Sequence, residues 1–220
     1  ARSLLAYLLH NAPPNLHVLV GSRAALAVPT AELSAKGNLA LLQAADLRLL
    51  QEESTEILSR RFGTRIGLDE CARLHDATEG WPIGLQLAAS TIERSQDLRA
   101  AIGSISGRHG DIQSYFLETL FAGLPEPMAT FLVHVSILER LSVELCEALT
   151  HSGHAAEYLD RLMVETPFVS VAEHQHWMRL HPLARDFLLA RFERLPAEER
   201  DVYHCRAYHW FARGDRFHEA

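Results

Sequence analysis

The 220-residue sequence contains a single lysine, Lys36, and it bears on whether the chain can grip phosphate. A G-x-x-x-x-G-K-[ST] loop needs glycines so that backbone amides can cradle phosphates, and a lysine to reach the terminal ones. Lys36 is followed by Gly37, and no glycine precedes it at the required spacing, so that loop is absent from this stretch. Three other features carry possible chemistry. Arg23 follows the apolar run Leu16-His17-Val18-Leu19-Val20. At the carboxyl edge of a sheet an arginine can hold a terminal phosphate by charge-assisted hydrogen bonds, or form an ordinary strand-end salt bridge. Gly80-Trp81-Pro82 combines a helix stop and a helix start; it serves either as capping alone or as a rigid apolar surface against a base. His181 stands between a strand-like run and a helix, where an imidazole can donate to a phosphate or simply be a satisfied polar residue.

Metal and hydrolytic chemistry find less support. Of 13 histidines, His174 and His176 fall on one face of an expected strand, and His151 and His154 on one face of an expected helix. Neither pair has a nearby third ligand, and zinc needs at least that, so these read as solvated surface histidines. Gly103-Ser104-Ile105-Ser106-Gly107 places Ile105 where a G-x-S-x-G elbow needs its nucleophile. No catalytic set emerges.

These residues need elements to position them. Leu4, Leu5, Leu8 and Leu9 mark an amphipathic helix that stops at Asn11-Ala12-Pro13-Pro14. Leu16–Val20 and Leu39–Gln43 read as buried strands, the tail of an α/β sheet whose remaining strands are expected upstream of Ala1. From Gln51 the period becomes helical: Gln51 to Phe62, then Asp69 as N-cap of a helix through Thr78, then Ile83 to Arg94. Gly103 to Gly110, with three glycines and two serines, reads as a linker. Helical faces follow at Ile112–Leu120, Met128–Val135 and Tyr158–Met163. The period then shortens to two at Phe168–Val171 and Trp177–Leu180 around a polar turn, a hairpin, before a helix from Pro182 to about Arg194. Helices, hairpin and closing helix together describe a winged-helix domain. Beyond Pro196, Tyr203, Ala207, Tyr208, Trp210, Phe211 and Ala212 open a tetratricopeptide-like helical stretch.

Composition narrows the function classes. Twenty-one basic against 28 acidic residues give a net charge of -7, which argues against a nucleic-acid-reading face in this segment. Cys71, Cys146 and Cys205 are odd in number and form no C-x-x-C, as expected of a protein in a reducing cytoplasm. No apolar run is long enough to span a bilayer, so no membrane role is expected. The sequence starts without methionine, inside a helix, and reads as an excerpt of a longer protein.

Taken in order, Val18-Leu19-Val20-Gly21-Ser22-Arg23, Thr78-Glu79-Gly80-Trp81-Pro82-Ile83-Gly84-Leu85-Gln86-Leu87, Ser136-Ile137-Leu138 and Arg179-Leu180-His181-Pro182-Leu183-Ala184-Arg185-Asp186-Phe187-Leu188 resemble the large ATP-binding LuxR-type transcription regulators of the MalT-like group. These are signal-transduction ATPases with numerous domains, relatives of the NB-ARC switches. The resemblance implies a mainly α chain. Its parts would be the end of an α/β nucleotide-binding domain (1–50), a helical lid (51–110), a winged-helix domain (111–195) and the start of a helical repeat (196–220). It implies ATP or ADP as cofactor, with Mg accompanying ATP. Arg23 matches the family's strand-end sensor arginine, Gly80 and Pro82 its G-x-P motif packing on adenine, and His181 its winged-helix histidine at the β-phosphate of ADP. It also implies a small-molecule or protein inducer bound by a downstream sensor, self-association in the ATP state, and DNA contact only through a helix-turn-helix beyond Ala220. The segment itself would not hydrolyse ATP; the full-length protein would be a slow ATPase switch. Ala184 departs from the larger apolar residue usual in the family, which bears on packing. Two other classes compete: a helical interaction or scaffold module without nucleotide, and a hydrolytic enzyme, for which no catalytic set exists.

Overall fold

Apolar residues three and four apart put most of the chain into helices, as its computed structural model shows. The structure describes residues 2–13, 15–22, 28–43, 46–166, 168–171 and 177–213. Backbone packing separates two units, Ala1–Asp46 and Leu47–Ala220.

In the first unit, helix α1 (Arg2–Asn11) ends just before Pro13, and the short α2 (Ala31–Ala35) carries the buried Leu33. The strands expected at Leu16–Val20 and Leu39–Gln43 do not form. A strand exists only through a neighbour that takes its backbone hydrogen bonds, and the one sheet among the described residues lies elsewhere. Leu16, Val18, Leu19 and Val20 of the first run and Leu41 and Leu42 of the second stay exposed, Leu19 by 94%.

The second unit begins with α3 (Gln51–Phe62), α4 (Leu68–Thr78) and α5 (Pro82–Glu93). Acidic residues at the third helical position reach back to the amide before the helix: Glu53 to Leu50 N–H at 2.8 Å and Glu70 to Gly67 N–H at 2.9 Å. Gly67 is therefore the cap of α4, and Asp69, expected there, lies inside the first turn. Next come α6 (Leu98–Gly103) and α7 (Gly110–Tyr115), which runs into a π-turn, Phe116–Phe121. There the Ala122 amide bonds the Leu117 carbonyl five residues back, at 3.1 Å.

A helical and hairpin layer follows: α8 (Glu126–Val135), α9 (Val143–Thr150), α10 (Ala155–Glu165), strands β1 (Val169–Val171) and β2 (Met178–Leu180), and α11 (Pro182–Phe192). The strands pair antiparallel with Val169 opposite Leu180 and Ser170 opposite Arg179. Leu141 adds a rung on the other side of β2, exchanging both backbone bonds with Met178 at 2.7 and 2.8 Å. The hairpin tip, with His174 and His176, lies outside the described residues. His151 and His154 do not share a helix: the first closes α9 with φ 54° and the second precedes α10, because Gly153 turns the chain between them.

One apolar core runs through all of this, from Leu58, Leu74, Leu85 and Ile92 of α3–α5 to Leu132, Leu145, Leu159, Phe168, Phe187 and Leu188. The glycine-rich stretch between α6 and α7 is a docked turn, not a free linker. A Cβ on Gly107 would lie 1.8 Å from the Leu183 carbonyl oxygen, and Arg108 forks onto Glu193 at 2.7 and 2.9 Å. Helix α12 (Ala197–Arg213) closes the described chain. Its Tyr203 stacks on His134 with centroids 4.1 Å apart, and its Arg206 donates to the Leu149 carbonyl at the end of α9. The remainder of the expected helical-repeat stretch, residues 214–220, lies outside the described residues.

Candidate functional site

The turn between α4 and α5 is built from two successive left-handed residues, Glu79 (φ 48°) and Gly80 (φ 68°). The Gly80 carbonyl accepts the Leu49 amide at 2.8 Å, and a Cβ at Gly80 would sit 2.2 Å from the Leu49 oxygen. Glycine is required there on both counts, backbone conformation and close approach. Pro82 then takes the first helical position, where a missing N–H costs nothing. Between them Trp81 points into the core. It stacks on Phe116 at 5.6 Å and 18°, touches Tyr115 at 5.6 Å, and presents itself to the His181 ring at 5.7 Å and 71°.

His181 arrives from the far end of β2. Its amide bonds the Phe168 carbonyl at 2.8 Å and its side chain caps α11, with Nδ1 accepting from the Leu183 amide at 3.2 Å. The other nitrogen, Nε2, lies 2.9 Å from the Thr78 carbonyl oxygen, which accepts only. These partners fix the tautomer: the proton is on Nε2 and Nδ1 holds the lone pair. Burial pushes the His181 pKa below its ordinary value, more than the Thr78 bond and the Glu79 charge raise it, so the ring is neutral. The Thr78 carbonyl also receives the Trp81 amide at 2.8 Å.

Beside this contact Glu79 lies between two guanidinium groups. Arg48 donates to its carboxylate at 3.1 Å and to its backbone carbonyl at 3.0 Å; Arg179 of β2 pairs with the other carboxylate oxygen. Burial alone would raise the Glu79 pKa, but hydrogen bonds from Arg179 and Arg48, with the nearby Arg179 charge, hold it below the usual carboxylate range.

Gly80, Pro82 and His181, singled out by sequence, thus meet at one place. Arg23 lies outside the described residues. Glu79, Arg48 and Arg179 were missed. A signal existed for one of them: residues 179 and 181 are two apart on a strand-like run and so share a face. Two guanidiniums against one carboxylate leave a net positive charge, and His181 adds an N–H donor, which is the donor type a phosphate needs. An open groove of about 560 Å³ lined by Thr64, Arg65, Gly67, Glu70, Asp97 and Arg99 lies at the opposite end of α4. It shares no residue with this site.

Residues 117–200 match the MalT winged helix domain family. The chain is MalT-like. Over 210 residues, 94% of its length, it is 31% identical to the HTH-type transcriptional regulator MalT of Vibrio campbellii, covering 23% of that protein. Over all 220 residues it is 28% identical to the serine/threonine-protein kinase PknK of Mycobacterium tuberculosis, covering 20% of it. The MalT of Yersinia pestis is 23% identical over 214 residues. The chain thus spans less than a quarter of the length of these curated relatives. In the MalT-like winged helix, the hairpin and α11 supply Arg179 and His181, whereas the Gly80 turn lies outside the matched residues.

Proposed function

We propose that this chain is the lid-and-latch segment of a nucleotide-controlled regulator, closing over ADP to hold a resting state and releasing it when an inducer favours the ATP-bound, self-associating form. A regulatory role is supported by the MalT relatives. The observation that carries the finer reading is the direct contact of His181 with the Gly80-Trp81-Pro82 turn, through Thr78 and the Trp81 ring. The Nε2 proton now given to the Thr78 carbonyl is the same proton a phosphate oxygen would accept. The ring can therefore exchange one acceptor for the other without any proton being moved. Pro82 would hold the base, Gly80 keep the turn narrow, and Arg23 hold the terminal phosphate. Mg would accompany ATP, and the full-length protein would turn over slowly in the cytoplasm, with DNA contact made by another domain. ATP, when bound, would supply the phosphoanhydride whose loss distinguishes the two states.

Differential affinity for the two states is what such a switch requires. The test uses the full-length protein. ADP should raise its melting temperature, and His181→Ala and Arg23→Ala should each change nucleotide-dependent assembly measured by light scattering. Unaltered binding and assembly in both variants would remove these site assignments. A second reading, an interaction module without nucleotide, draws on PknK, a kinase in which this whole stretch also has a counterpart. It requires that ADP leave the melting temperature unchanged.

A further inference from the structure

Glu79 is an expensive residue for its position. A left-handed residue ending a helix is easiest as glycine or asparagine, and a glutamate at φ 48° carries a conformational penalty that neither the turn nor the next helix needs. Its side chain is 15% exposed, and it sits between Arg48 and Arg179, residues 31 and 100 positions away. Arg48 spends a further donor on the Glu79 carbonyl, and the Leu49 amide bonds Gly80 next door. Three separate pieces of chain, the lead into α3, the α4–α5 turn and the end of β2, are thereby tied at one carboxylate. Two further ties across this junction, His181 to Thr78 and Trp81 against the His181 ring, are uncharged.

We infer that Glu79 is the shared anion of an internal clasp that holds the α4–α5 turn shut against the end of β2, so that opening this junction requires one carboxylate to leave two guanidiniums at once. The clasp is made of protein groups alone, Glu79 with Arg48 and Arg179. Opening leaves Arg48 and Arg179 unneutralised on facing surfaces, so anions in solution favour the open form. The contact is thus a salt-sensitive restraint on the same junction at which His181 sits.

Amide hydrogen exchange of the 220-residue chain tests this, comparing the wild type with Glu79→Gln and Glu79→Gly. Glutamine keeps the size and removes the charge; glycine removes the charge and relieves the backbone. Both variants should speed exchange at the Leu49 and Trp81 amides about tenfold, the scale of lost charge-assisted hydrogen bonds. The Leu149 and Leu162 amides of α9 and α10 should be unmoved. In the wild type, raising NaCl from about 0.05 to about 1 M should speed exchange at the same two junction amides, and in Glu79→Gln it should not. Protection at Leu49 and Trp81 preserved in Glu79→Gln would overturn the inference. So would a wild-type result for Glu79→Gly, or an equal salt response in both proteins. Parallel loss at Leu149 and Leu162 would also overturn it, since Glu79 would then support the whole fold and not one junction. No nucleotide enters the experiment, so its outcome is independent of the nucleotide-switch reading.

Discussion

Leu19 and Leu132 are the same side chain with opposite fates. Leu19, in the first unit, is 94% exposed, whereas Leu132, in α8 of the second, is fully buried. Among the described residues the first unit buries only Val28 and Leu33, while the second carries one core from Leu58 to Leu188. Apolar residues are plentiful in both. The difference is partners: in the second unit the core residues of successive helices and the hairpin meet one another, and in the first the extended runs meet none that is described. Apolar content sets the drive to bury, and only complementary elements allow it to be satisfied.

The contrast can be broken most directly by truncation. Leu132→Ala should cost about 2–5 kcal/mol in urea unfolding, from lost transfer energy plus a cavity. Leu19→Ala should cost less than about 0.5 kcal/mol, as for an exposed site; equal losses would abolish the distinction. Glycines sharpen it next. Gly80→Ala must accommodate both a φ of 68° and a Cβ 2.2 Å from the Leu49 oxygen. It should cost at least about 2 kcal/mol. Gly37, in the first unit, has φ 69° and open space around it, so Gly37→Ala should cost only the conformational penalty, about 1 kcal/mol.

Acid provides a smaller probe, confined to the second unit. His181 and His134 are both held below the ordinary histidine pKa by burial, the second despite the attraction of Glu199. The unfolded chain therefore takes up these protons first, near pH ~6.5. Stability is complete above that value and falls as pH drops toward the folded pKa values. The melting temperature should decline between about pH 7.5 and 5.5, and His181→Gln should lessen the decline without abolishing it, because His134 remains. Smallest of all, Arg108→Ala removes an exposed fork to Glu193 and should change unfolding free energy by no more than about 1 kcal/mol.

Much of the second unit was legible because its punctuation is chemical. Pro82 suits the first position of a helix, Gly80 a left-handed helix stop, and the period of two around residues 168–171 and 177–180 a hairpin. Helix α3 was read to its observed ends. Reading failed where the deciding partner was distant or the signal had no side-chain signature. Leu16–Val20 looks the same in sequence whether it is a buried strand or a bare extended run. Asp69 lost the cap of α4 to Gly67 because Glu70, one residue on, reaches back to that amide. The π-turn at Phe116–Phe121 differs from an α-helix by one residue per turn, which apolar spacing cannot resolve. At the site, Gly80, Pro82 and His181 were visible as motifs, but the pairing of Glu79 with Arg179 spans 100 positions and belongs to the fold.

The tight seating of Gly107 against Leu183 has a practical corollary. Three glycines and two serines in eight residues would ordinarily invite a protease and offer an obvious place to cut the chain into separately expressed halves. Here the backbone at that point is pressed against α11, so a nick would have to be preceded by undocking. Pieces divided at Gly107 would each display a raw apolar face and should be recovered as aggregates, or only when made together.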